Sequence, residues 1–182
     1  MSNITKEPVG TAPTPTDRPI VDSLAARRVL AVLRIMFGFY FLWAFLDKTF
    51  GLGFATPAAK AWINGGSPTK GFLSSSEGPF SGFYHALAGN GFVNVLFMLG
   101  LLGIGLALTL GIGLKVAAVA GTVMYVMMWA VVLPLTTNPI LDDHLTGAVT
   151  LILFALTAAG TTWGLGSWWA AQSFVKKNRW LV

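Results

Sequence analysis

FVNVLFMLGLLGIGLALTLGIGLKVAAVAGTVMYVMMWAVVL, residues 92–133, is apolar almost from end to end and carries a single charge, Lys115. One membrane-crossing helix needs about 20 such residues, so the run is about twice too long for one straight crossing. Gly111-Ile112-Gly113-Leu114-Lys115 interrupts it and reads as the tight turn of a helical hairpin. The hairpin spans lie at about 92–114 and 116–133. Two more apolar stretches qualify, at about 29–46 and 145–163, the latter reaching toward Trp169. The expected fold is therefore all-α: an integral membrane four-helix bundle whose long outer loop, 49–91, contains short interfacial helices.

Composition agrees. The chain is 54% hydrophobic and 10% charged, against about 25% charged in soluble domains. Residues 29–169 read as one membrane domain. Pro8, Pro13, Pro15 and Pro19 among polar residues mark 1–28 as a disordered cytoplasmic tail, and 170–182 reads as a basic cytoplasmic tail. Arg27-Arg28 before an apolar run suggests a signal peptide, but that run is long and ends in Asp47-Lys48 without a small-residue cleavage site, which makes it a retained anchor. The net charge of +5 comes from basic residues at the span ends, which fits topology and anionic lipid rather than nucleic acid. The absence of cysteine excludes disulfides, iron–sulfur ligation and thiol catalysis. Redox chemistry would need a bound organic cofactor, a metal on N or O ligands, or a partner subunit. Covalent haem is not expected.

Lys and Arg placement sets the orientation. With both termini cytoplasmic, the inner side holds Lys6, Arg18, Arg27, Arg28, Lys115, Lys176, Lys177 and Arg179, and the outer side Lys48, Lys60 and Lys70. The expected location is the plasma membrane, multi-pass. Gly103, Ala107, Gly111 and Gly105, Thr109, Gly113 repeat every four residues, a spacing that lets helix backbones approach closely. The outer loop offers one short helix after Thr56, ended by Gly65-Gly66, and a second near 78–87. It either lies along the interface or caps a cavity.

Charges near the bilayer point to function. Asn138-Pro139-Ile140-Leu141-Asp142-Asp143-His144 places two carboxylates and a histidine just before the fourth span. Asp142 or Asp143 suits a helix N-cap; His144 suits a proton relay, a quinone hydrogen-bond donor or a metal ligand, with His85 the other histidine. One His with two acids is a weak metal signal, and no metal site is expected. Arg34 either snorkels or works inside the bundle. Arg34, Gly38, Phe41, Phe45 and Lys48 share one stripe of the first span, which favours a face turned to other helices. Asp47-Lys48 reads as an interfacial pair.

Leu33-Arg34-(x3)-Gly38-(x9)-Lys48, the glycine-rich second span leading into Gly113-Leu114-Lys115-Val116-Ala117-Ala118, and Trp163-Gly164-Leu165-Gly166 together resemble the DoxX/DoxD family of small four-helix membrane proteins. The run Trp62-Ile63-Asn64-Gly65-Gly66-Ser67-Pro68-Thr69 and the 138–144 run look closer to the DoxD branch. The chain reads Val95-Leu96-Phe97-Met98 where the family commonly has an acidic residue. The resemblance implies a membrane subunit of a quinone-linked oxidoreductase, passing electrons from thiosulfate or a related sulfur compound to quinone. His144, Asp142, Asp143 and Arg34 are then the candidate catalytic residues, and Lys48, Trp62 and His85 the candidate cofactor-binding residues. A protein partner subunit or a homo-oligomer is implied. A non-catalytic membrane scaffold or accessory subunit of a redox complex is the alternative, and an oligomeric transporter a third reading.

Overall fold

The computed structural model describes residues 20–182, whose regular structure is all helical, with no strand among them. Helix α1 is Leu24–Phe50, and α2 (Lys70–Ser74) and α3 (Ser81–Leu87) lie in the long loop. Helices α4 (Gly91–Leu110), α5 (Leu114–Val131) and α6 (Asp143–Leu156) follow, then the short α7 (Gly166–Ala171) and α8 (Ser173–Lys177). Three helices, α1, α4 and α5, are long and apolar enough to cross a membrane. Their outer faces are as apolar as the core, with Phe39, Leu99 and Val119 exposed.

The hairpin turn falls where the glycines put it. Helix α4 stops at Leu110, and Gly111 and Gly113 take φ of 73° and 58°, a region open to glycine without the steric cost a Cβ brings. The helix that carries the first expected span begins five residues before it, at Leu24, where the Ser23 hydroxyl accepts from Ala26 N. Five residues assigned to the tail are thus helical; residues 1–19 of that tail lie outside the described residues. The basic segment 170–182 is also structured. Val175 is fully buried, the Trp169 indole donates to Leu181 O at 2.8 Å, and Lys115 Nζ donates to Arg179 O at 3.3 Å.

Helices α1, α4, α5 and α6 share one core of Phe41, Met98, Leu101, Ile104, Leu108, Tyr125, Leu151 and Phe154. Gly38 and Gly105 let α1 and α4 cross closely: a Cβ on Gly105 would lie 2.9 Å from Leu42 N, and one on Gly38 2.7 Å from Thr109 N. The α1 stripe therefore faces α4, with Arg34, Gly38 and Phe41 all buried.

Arg34 does not snorkel. It is wholly buried, and its guanidinium reaches the far end of α4. One terminal nitrogen donates to Leu108 O and, at 3.0 Å, to Thr109 O; the other donates to Thr162 O at 3.3 Å and Trp163 O at 2.9 Å. Gly111 and Gly164 make room, since a Cβ on either would sit 3.1 Å from a guanidinium nitrogen. Helix α6 ends at Leu156, short of the expected Trp163, and this clasp holds the chain that follows it. Residues 158–163 must wrap the guanidinium, so Ala158 and Trp163 adopt φ of 48° and 50° and the chain turns through a 3₁₀ segment at Ala159–Thr161.

Arg34→Met leaves these carbonyls without their donor, at about 1–3 kcal/mol each. It is expected to lower stability by about 3 kcal/mol or more, with Arg34→Lys intermediate because an ammonium cannot fork across two helix ends. Unfolding in detergent followed by circular dichroism checks this; equal midpoints for wild type and Arg34→Met contradict it.

Candidate functional site

At the opposite end of the bundle from Arg34, α6 begins with a cap that also holds its histidine. Asp142 has extended backbone and one carboxylate oxygen accepts from His144 N and Leu145 N, both at 3.1 Å. The other oxygen lies 2.5 Å from His144 Nδ1. An ionised carboxylate only accepts, so Nδ1 carries a proton and donates, and no hydrogen bond to Nε2 occurs among the described residues. Burial pushes the Asp142 carboxyl up, but the hydrogen bonds from the His144 ring and from the Leu145 and His144 amides outweigh it, and the net shift is below the usual carboxylate value. Cap and histidine holder are thus one residue. Asp143, exposed in the first turn, adds a second negative charge at the positive end of the helix dipole.

The His144 ring meets Tyr125 edge-on, centroids 6.0 Å apart, and Tyr125 in turn packs edge-on against Phe41 at 5.3 Å. Gly147, one turn beyond His144, permits this contact, since a Cβ there would lie 2.7 Å from the Tyr125 ring. Tyr125 is six residues before the end of α5, so the His144 ring sits roughly 9 Å below that end at 1.5 Å rise per residue. The segment before α6 folds back along α5, where the Trp129 indole donates to Ile140 O at 2.9 Å.

A cleft of about 400 Å³ opens here between α1 and α6. Leu33, Met36, Phe37 and Phe41 make its apolar walls, and Tyr40, Tyr125, Asp143 and His144 bring the polar groups. Tyr40 and Met36 are largely exposed, so the cleft opens sideways along α1.

The other sequence-predicted residues lie elsewhere. Arg34 is the clasp on α4 and lines no part of this cleft. His85 is in α3, its Nε2 2.9 Å from Ser76 O, and does not join His144 in the cleft. Trp62 packs against the main core from the loop. Asp47 and Lys48 do not form an ion pair: the buried Asp47 carboxylate accepts from Phe54 N at 3.3 Å and Ala55 N at 3.0 Å, folding the loop back over the helix end. Lys48 instead lines a second cavity of about 480 Å³ beneath the loop. No group of three or more His, Asp or Glu capable of holding a metal occurs among the described residues.

The loop over that second cavity is built as a cap. Buried Asn94 Oδ1 accepts from Ser67 Oγ at 3.0 Å, Thr69 Oγ1 at 2.7 Å and Thr69 N at 3.3 Å, and the Tyr84 hydroxyl donates to Met127 O at 3.0 Å. Burial pushes the Tyr84 phenol up, which keeps that donor protonated. Besides the two expected helical pieces, Lys70–Ser74 is helical where turns were expected. Tyr125, Tyr40, Asn94 and Tyr84 were not singled out in the sequence. For Asn94 and Tyr84 the signal was an amide and a phenol in largely apolar surroundings, for a buried polar group must find a partner. Comparison with protein-family profiles, curated proteins and solved structures finds no match to this chain.

Because the folded-state carboxyl of Asp142 titrates below its unfolded value, its contribution is complete above the unfolded pKa of about 3.9 and is lost as pH falls through the folded value. Asp142→Asn keeps a good cap but has no charge to lose, so its unfolding midpoint is expected to fall less steeply than wild type below about pH 4. Asp142→Ala is expected to cost about 1 kcal/mol at neutral pH. Identical acid profiles for wild type and Asp142→Asn contradict the dyad.

Proposed function

We propose that this chain is a four-span plasma-membrane protein, both termini cytoplasmic, that serves as the quinone-binding membrane subunit of a DoxX/DoxD-type oxidoreductase. Helix α6, with 14 residues, is roughly 21 Å long and shorter than the hydrocarbon layer of about 30 Å. The turn held by Arg34 and the folded-back segment before Asp142 complete the crossing. The Asp142–His144 pair then lies at the outer membrane surface, reached from the side through an apolar cleft.

The observation that carries the reading is His144, its Nδ1 held by Asp142, lining an apolar, laterally open cleft that two tyrosines also line. A quinone bound there would supply two-electron, two-proton redox chemistry. The Tyr125 or Tyr40 hydroxyl, and His144 Nε2 when the ring is protonated, would donate to a ring carbonyl, the neutral Nε2 would accept from a hydroquinone hydroxyl, and Phe37 and Phe41 supply apolar walls. Asp142 fixes the imidazole tautomer and stabilises its protonated form, so His144 can pass a proton inward from the Asp143 side, where the site meets water. The chain has no cysteine, so electrons from thiosulfate or a related sulfur donor arrive directly or through a partner subunit.

A non-catalytic scaffold is the second reading. Arg34, Asp47 and Asn94 favour it, since each buried polar side chain bonds the protein's own backbone.

Purified protein is expected to bind a short-chain quinone saturably. His144→Ala is expected to weaken that binding about tenfold and to lower donor-to-quinone turnover in native membranes about a hundredfold, with folding intact. Absence of saturable binding by wild type favours the scaffold. Topology has its own check: cysteines replacing Thr137 and Ser173 are expected to label from opposite sides of the membrane, and labelling from one side means that α6 does not cross.

A further inference from the structure

Lys48 is the one basic residue of the long helices that faces a cavity without an acidic partner among the described residues. Its neighbour Asp47 accepts from two loop amides and makes no salt bridge with it. Around Lys48 the cavity is apolar. Phe72, Tyr84 and Leu87 of the cap roof it, and Phe97, Met124 and Met127 wall it where α4 and α5 splay apart.

The cavity continues away from the cap. A further cleft of about 470 Å³ shares Gly100, Ile104 and Ala120 with it and runs on to Ile112 and Gly113. From Leu96 to Ile112 this groove extends roughly 24 Å. Of the two small-residue stripes on α4, Gly105 and Thr109 receive α1, but nothing lies within 4 Å of a Cβ built on Gly103. The Gly103–Ala107 face is therefore an open channel and not a helix contact.

We propose that the α4–α5 groove holds one acyl chain of an anionic phospholipid, with the phosphate on Lys48. The charge at one end is complementary to the phosphate. Three methionines near that end, Met124, Met127 and Met128, are unbranched and adapt to a flexible chain. A helix from a second copy is disfavoured, because with side chains it is about 10 Å wide and would meet the roof formed by Phe72 and Tyr84. This site is separate from the cleft at His144 and does not depend on quinone binding.

Electron spin resonance of the purified protein in phosphatidylcholine vesicles tests it, with trace chain-labelled phosphatidylglycerol or chain-labelled phosphatidylcholine as probe. Wild type is expected to immobilise phosphatidylglycerol in preference to phosphatidylcholine. Lys48→Gln is expected to reduce that preference about fivefold, while Lys60→Gln, on the exposed loop, leaves it unchanged. Gly103→Leu, which adds a side chain into open space, is expected to displace the immobilised lipid without unfolding the protein. Equal immobilisation of the two lipids by wild type overturns the proposal. So does a Lys60→Gln effect as large as that of Lys48→Gln, which would mean diffuse surface charge. A change from oligomer to monomer in Gly103→Leu also overturns it, by showing that a second copy fills the groove.

Discussion

The end of α4 is where this fold is decided. A helix leaves its last four carbonyls without intrahelical donors, and in a largely apolar molecule each needs one from elsewhere. Ala107 O takes the amides of Gly111 and Ile112, Leu108 O and Thr109 O take the Arg34 guanidinium, and Leu110 O takes Leu165 N at 2.8 Å. All four are satisfied, by three separate parts of the chain. The guanidinium also sits at the negative end of the α4 dipole, which helps to offset the cost of burying a charge with no carboxylate beside it.

That arrangement separates what the sequence could disclose from what it could not. The helical hairpin was legible because an apolar run of double length has to break, and Gly111 and Gly113 mark the place. The inward stripe of α1 was legible because a period near 3.6 is written in Arg34, Gly38 and Phe41. The end of α6 was not. Residues 157–163, Thr-Ala-Ala-Gly-Thr-Thr-Trp, hold only a weak break signal in their glycine and threonines, and the demand of Arg34 for the Thr162 and Trp163 carbonyls adds to it. The glycines near Trp163 were visible in the sequence; that a guanidinium and the Gly111 turn press against them was not.

The site divides in the same way. Asp142, Asp143 and His144 were conspicuous because charges are rare in such a chain, and adjacency in sequence kept them adjacent in space. Capping and chemistry were posed as alternatives, yet the two oxygens of Asp142 take one task each. Tyr125 was missed because its meeting with His144 depends on how far down α5 the last long helix begins, and hydropathy carries no such register. Arg34 and His85 looked like companions of His144 on charge grounds alone. Helix direction keeps the first at the other end of the bundle, and the cap keeps the second on a loop carbonyl.

The closure of α4 also implies an order of assembly. Its Leu110 carbonyl waits for Leu165, and Arg34 reaches its full set of acceptors only when Thr162 and Trp163 arrive. Helices α1, α4 and α5 are complete in length long before those residues emerge from the ribosome. Until then, the turn between α4 and α5 has an unfinished helix end and a guanidinium with half its acceptors. Residues 162–165 are therefore the bolt that locks a hairpin made earlier, and a chain truncated before Thr162 would have every long helix but the end of α4 left open.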